Sequence, residues 1–384
     1  MTPQQLYGQA MQLHQRGRLA EAESLYRRLI AIQPRAFAPL HMLGVLLAQQ
    51  GRTSEALDAI GQALALNPND TGALVNYGNV LNLSGRFEEA VTSYDRALAL
   101  APDAATLVNR GNALQGINRR PEALASFEQA LALEPGNAQA LFKRGVLLGE
   151  LGRTDEALAA YDRLLALDPN NIEALNNRGY LWWLSKQRYA PAIADLERSL
   201  ALAPDLAYAQ GAVLHLKMHV ADWRGFAGEK QSLVEGVRAG GKVARPFMFQ
   251  AVADNPRDLQ ACAQIYARDQ YPLAAGISSH DPVARKGRRK IRLGYLSGEF
   301  RDQATAILMA GLYERHDRDR FEVIAIDNSS ADQSAMSARL KRAFDGWIDI
   351  GPLNNVQAAG KIQEAEIDIL VNLNGYFGKH RMDV

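Results

Sequence analysis

The 384-residue sequence predicts an all-helical repeat array over residues 3–204, a helical spacer over 205–290, and an α/β Rossmann-like lobe with a parallel sheet over 291–384. Three observations carry this reading. Prolines recur at positions 34, 68, 102, 135, 169 and 204. A glycine column (Gly44, Gly78, Gly111, Gly145, Gly179) and an alanine column (Ala22, Ala56, Ala90, Ala123, Ala157, Ala192) keep the same phase. From Ile291 onward, short apolar segments alternate with stretches of helical periodicity, the pattern of strands joined by crossover helices.

Each column of the array has a physical reason. Small residues let two helices of a unit approach closely, and a larger side chain there overpacks by about 1–3 kcal/mol. An aromatic column at Tyr26, Tyr94, Phe127 and Tyr161, with Ile60 in the second unit, fills the space between helix pairs. Gly17, Gly51, Gly85 and Gly152 stand between helices, where a left-handed terminating residue is wanted. Asn118 takes that place in the fourth unit, since asparagine tolerates the same backbone region. The prolines stop the second helix of each unit. Together these columns resemble the tetratricopeptide repeat, a helix–turn–helix of 34 residues, in six copies. No unit buries its apolar face alone, so the array is expected to stack into a superhelix with a concave groove.

Asn76, Asn109 and Asn177 share one phase on the first helix of their units, and Asn79 and Asn112 lie three residues further on. Asparagine is an indifferent helix former, whereas an amide both donates and accepts. These five residues are therefore expected to grip an extended peptide backbone. Met42 and Lys143 occupy the phase elsewhere.

The spacer is expected to hold helices at 207–220, 229–239 and 256–268. His215 and His219 are spaced as two metal ligands could be, but the H-E-x-x-H pattern is absent and no metal site is expected. Residues Gly236 to Lys242 superficially resemble a phosphate loop, yet Val243 stands where Ser or Thr should meet Mg²⁺. The basic run Arg285 to Lys290 reads as a solvated linker.

Composition narrows the classes further. A net charge of +1 gives no global reason to expect a nucleic-acid partner. One cysteine, Cys262, excludes an internal disulfide and a cysteine-based zinc site, in keeping with a reducing cytoplasm. The first residues show no signal-peptide pattern, and no apolar run is long enough to span a bilayer. A cytoplasmic protein without membrane partners is expected.

In the last segment, strands are expected at 291–297, 321–326, 347–350 and 367–373, with helices at 304–315, 333–344 and 356–365. The stretch Ile291 to Gly311 reads as buried strand, polar elbow (Gly298 to Gln303) and helix. In an open α/β sheet such elbows line the ligand crevice, and helix N–H groups there favour anions. No G-x-G-x-x-G follows the first strand, which argues against a dinucleotide oxidoreductase.

Repeats, a helical spacer, then Gly294-Tyr-Leu-Ser-Gly-Glu-Phe300 and Asp368-Ile-Leu-Val-Asn-Leu-Asn-Gly-Tyr376 resemble the protein O-linked N-acetylglucosamine transferases and their SPINDLY-like relatives. The resemblance implies a two-lobed, inverting glycosyltransferase that needs no cofactor or metal. The donor would be UDP-N-acetylglucosamine or another nucleotide sugar, with GDP-fucose the alternative, and the acceptor Ser or Thr of a protein held by the repeats. It also places Glu299, Asp302 and Gln303 at the catalytic elbow and Arg301, Asn374, Tyr376 and Lys379 against substrate. Where the animal enzymes carry a histidine at the elbow, this chain has Gln303, which hydrogen-bonds but accepts no proton near neutral pH. Glu299 and Asp302 are the remaining proton acceptors, and each could equally be a helix-start acid or the partner of Arg301. The resemblance sets the donor-binding lobe beyond Val384, so the chain alone is expected to be inactive and prone to self-association. The other reading is a peptide-binding scaffold without activity.

Overall fold

The computed structural model describes residues 1–271, 290–329 and 332–373. They form two compact units, Met1–Val237 with Val243–Val252, and Arg238–Lys242 with the chain from Ala253 on.

In the first unit, twelve helices make six antiparallel pairs. The first helices are α1 (Pro3–Gln15), α3 (Phe37–Gln49), α5 (Thr71–Leu83), α7 (Ala104–Gly116), α9 (Ala138–Glu150) and α11 (Ile172–Leu184). Their partners are α2 (Leu19–Ile32), α4 (Thr53–Leu66), α6 (Phe87–Leu100), α8 (Arg120–Leu133), α10 (Thr154–Leu167) and α12 (Tyr189–Leu202). Every second helix ends two residues before its proline, as the missing proline N–H and the restricted preceding residue require. Asp70, Asp103, Asn137 and Asn171 then cap the next first helix, each side chain accepting the backbone N–H three residues on. Between helices, Gly85 has φ 73° and Asn118 φ 59°, so the asparagine does take the left-handed turn. A Cβ on Gly78 would lie 2.6 Å from the Tyr94 ring, and one on Gly145 would lie 2.8 Å from Tyr161. The glycine and aromatic columns therefore face one another in the third to fifth units, while Gly44 and Gly179 face Ile60 and Leu196.

Successive first helices also touch, α3 with α5, α5 with α7 and α9 with α11, which makes theirs the tighter, inner side of the stack. The array continues into α13 (Ala209–His219) and α14 (Phe226–Arg238). A short α15 (Pro246–Gln250), absent from the sequence reading, packs Met248 into a core with Leu196, Val213 and Leu216. The division into units thus falls inside the segment read from sequence as one spacer.

The second unit holds α16 (Pro256–Gln270), whose Asp258 pairs with Arg238 at 2.8 Å, and a four-stranded parallel sheet. In chain order the latter runs β1 (Ile291–Ser297), α17 (Ala304–Glu314), β2 (Phe321–Asp327), α18 (Ala335–Ala343), β3 (Gly346–Asp349), α19 (Asn355–Glu364) and β4 (Ile369–Asn372). Side-chain alternation along each strand separates two faces. Leu293, Tyr295, Val323 and Ala325 meet α17 and α18 over a cluster of Phe300, Tyr313 and Phe344. Leu296 and Ile326 meet Ala358 of α19 on the other face. The spatial strand order is β3-β2-β1-β4, so the winding reverses beside β1. At that reversal the loop after β1 leaves the carboxyl edge of the sheet, the place where open α/β sheets take ligands.

Candidate functional site

The elbow follows β1 at this reversal. Ser297, buried at the strand end, accepts the Glu299 amide at 3.0 Å, and the Arg301 amide turns back onto the Glu299 carbonyl at 2.8 Å. Phe300, 2% exposed, anchors the turn in the aromatic cluster, 5.3 Å from Trp347. A buried aromatic between polar neighbours fixes which of those neighbours face out.

The elbow side chains then divide by what they touch. Glu299 accepts a hydrogen bond of 2.5 Å from the Thr305 hydroxyl, in the first turn of α17, where a carboxylate also suits the helix dipole. Gln303 is the N-cap residue of α17 with extended backbone (φ −139°, ψ 158°), yet its side chain makes no capping bond and is exposed. Asp302 is exposed, and its carboxylate has no hydrogen-bond partner among the described residues. Arg301 is half-buried. Asn374, Tyr376 and Lys379 lie outside the described residues, as do Arg285 to Arg289.

Sequence reading missed the group that ties the elbow down. Asp332, in the loop before α18, accepts the Ser334 amide at 3.1 Å and the Ser334 hydroxyl at 2.5 Å. It also accepts the backbone amide of Asp302. The Ser334 hydroxyl, with these amides, holds the Asp332 carboxyl below the usual carboxylate range. Asp and Ser before a helix signal a cap, but nothing local reveals a contact 30 residues away. A second tie joins the strand ends, where the Asn328 amide donates to the Ser297 carbonyl at 2.9 Å.

On the repeats, the five asparagines are half-buried on the first helices. Several already have internal partners. Asn79 Oδ1 accepts from the Tyr94 hydroxyl at 2.8 Å and from Asn109 Nδ2 at 3.1 Å. Asn76 Nδ2 lies 2.9 Å from His41 Nε2, and Asn177 bonds the Tyr161 side chain. The Asn112 Oδ1 is buried without a partner. An amide offers up to four hydrogen bonds, so these contacts orient the column and leave capacity on it.

His215 and His219 lie with ring centroids 4.5 Å apart, and His219 Nδ1 meets the His215 carbonyl at 2.9 Å. Among the described residues, no three His, Cys, Asp or Glu side chains converge as a metal would require. Among them also, no helix is long and apolar enough to cross a membrane. Cys262 is buried, which pushes its thiol up to about 11 and leaves it unreactive near neutral pH.

Residues 275–384 match the family described as glycosyl transferase family 41. Tetratricopeptide repeat models match residues 3–28, 41–105, 108–172 and 147–207. A probable UDP-N-acetylglucosamine–peptide N-acetylglucosaminyltransferase, SEC, of Arabidopsis thaliana is 30% identical over 96 residues, 25% of this chain and 10% of that protein. The corresponding Caenorhabditis elegans enzyme is 32% identical over 97 residues, 25% of this chain and 8% of that protein. The matches thus span about a tenth of these relatives' lengths. Among solved structures, a Thermobaculum terrenum O-GlcNAc transferase is 24% identical, covering 73% of this chain and 47% of its own, with TM-score 0.40. The tetratricopeptide repeat protein YrrB is 22% identical, covering 51% of this chain and 97% of its own, with TM-score 0.41. The chain thus joins tetratricopeptide repeats to a segment, residues 275–384, that matches glycosyl transferase family 41.

Proposed function

We propose that the chain is part of a protein O-glycosyltransferase that moves N-acetylglucosamine from UDP-N-acetylglucosamine to serine or threonine hydroxyls, with the repeats holding the acceptor polypeptide and a donor-binding lobe completing the site. The observation that carries this reading is the elbow Gly298 to Gln303. It lies at the strand-order reversal of a parallel sheet, inside the segment that matches family 41. In the proposed reaction, the acceptor oxygen attacks the anomeric carbon, the bond to the diphosphate breaks with inversion, and UDP leaves with the bonding electrons. Asp302 takes the hydroxyl proton, because its carboxylate stands free while that of Glu299 is held by Thr305. Gln303 hydrogen-bonds and orients, and the N-terminus of α17 favours the developing negative charge. No metal or further cofactor is part of this scheme.

The engagement of Glu299 by Thr305 favours a second reading, in which the elbow is structural and the chain is a peptide-binding scaffold. The two differ in one assay. The protein, purified from its own cells, is incubated with an acceptor polypeptide and either tritiated UDP-N-acetylglucosamine or GDP-fucose. The proposed reading expects label from the first donor, in a linkage cleaved by base. Label from GDP-fucose would make the enzyme a fucosyltransferase, and none from either would favour the scaffold.

A further inference from the structure

The last first helix changes the chemistry of the inner column. Where α5 and α7 carry Asn79 and Asn112, α11 carries Tyr180; where they carry Asn82 and Gln115, it carries Trp183. The Tyr180 and Trp183 rings stack with centroids 5.9 Å apart and planes 26° apart. His215 of α13 lies 5.6 Å from Trp183, and Phe247 of α15 lies 6.1 Å from His215. Arg245 sets its guanidinium 5.4 Å over Tyr180, and Arg188 sets its own 4.9 Å over Trp182.

Packing explains part of this cluster, since Tyr180, Trp182 and Trp183 cover the core around Leu196 and Leu216. It leaves three features unexplained. Phe247 is 68% exposed. His215 Nδ1 is buried without a hydrogen-bond partner. Arg153 and Arg178 hold carboxylates, whereas Arg188 and Arg245 are exposed on ring faces with no carboxylate partner among the described residues.

We propose that this aromatic end of the repeat array docks an acidic, proline-containing, extended segment of a protein partner. The proline ring stacks on Tyr180 and Trp183, and a neighbouring carboxylate pairs with Arg245. Proline suits the patch because a chain already fixed in extended form loses little conformational freedom on an aromatic surface. Acid suits it because two guanidinium groups, already oriented by the rings, lack counter-charges. The patch continues the face that bears the amides, so a segment lying along that face reaches it directly. The inference rests on the reading that the repeats hold polypeptide.

The test is calorimetric titration of the whole protein with three synthetic peptides of equal length, alternating glutamate–proline, glutamate–alanine and lysine–proline. The glutamate–proline peptide should bind at least tenfold more tightly than either other. Arg245→Glu, at an exposed site outside the core, should abolish the preference without moving the melting temperature. Trp183→Ala should weaken all proline binding. Equal affinity for the three peptides, or a preference that survives Arg245→Glu, overturns the proposal while leaving peptide binding by the repeats intact. No binding of any peptide overturns both.

Discussion

A glycine's value in this array depends on what lies opposite it. Gly78 faces the fully buried Tyr94 ring, and its absent Cβ would meet that ring at 2.6 Å. Gly61, also helical, has its nearest neighbour 3.9 Å from the same point. Gly78→Ala should therefore cost about 1–3 kcal/mol through overpacking. Gly61→Ala should be neutral or stabilise by up to about 1 kcal/mol, by helix propensity alone. Urea denaturation of both variants checks the contrast, and equal effects would show that the glycine column is not set by packing. Asp332 gives a pH-dependent prediction at the same scale. Its carboxyl is held below the usual range by the Ser334 hydroxyl and by amides that include Asp302. A depressed folded value means that this stabilisation is complete above the unfolded value, about 3.9. It is lost as pH falls through the lower folded value. Hydrogen exchange at the Asp302 amide should accordingly lose protection in strong acid, and in Asp332→Asn already at neutral pH. Protection unchanged in that variant would dissolve the tie between elbow and neighbouring loop.

At the scale of helices, the junctions between units are of two kinds. Arg110, Arg144 and Arg178 of three successive first helices each reach acids on the preceding second helix. Arg110 meets Asp95 at 2.6 Å and Arg178 meets Asp162 at 2.6 Å. Leu43 and Tyr77 occupy that position earlier, and around Leu43 a groove of about 420 Å³ is left between α2, α3 and α4. Arg178 also pairs at 2.6 Å with Asp195, whose side chain is 9% exposed. Arg178→Met leaves that carboxylate buried and unpaired, which should cost about 2–4 kcal/mol, somewhat less than a fully buried pair because the arginine is partly solvated. Adding Asp195→Asn should recover much of the loss. A double variant no more stable than the single one in thermal melts would show that the penalty is not electrostatic.

The same scale shows what could be read from the sequence. The helix pairs were legible because their proline, glycine and alanine columns repeat a local packing rule, and β1 because Ile291–Ser297 is a bounded apolar run. The five-residue α15 is too short to display periodicity. β4, expected over 367–373, forms over Ile369–Asn372, where β1 offers a ladder for it to pair with. The tie from Asp332 to Asp302 and the bond from Asn76 to His41 join residues 30 or more apart, so only folding brings them together.

For the whole molecule, the proposed function requires one chain to carry both an acceptor-holding array and part of a glycosyl-transfer site. Asn76, Asn109 and Asn177 connect the two ideas, since they lie half-buried on the first helices and are oriented by internal hydrogen bonds. Each peptide hydrogen bond lost is worth about 0.5–1.5 kcal/mol, so losing three should weaken acceptor binding roughly tenfold or more. The most direct measurement is steady-state transfer of tritiated N-acetylglucosamine to an unfolded polypeptide acceptor, comparing the protein with its triple Asn→Ala variant. The prediction is a KM for acceptor raised about tenfold or more, with kcat and the KM for UDP-N-acetylglucosamine unchanged. An unaltered acceptor KM, or no transfer by either protein, would contradict it.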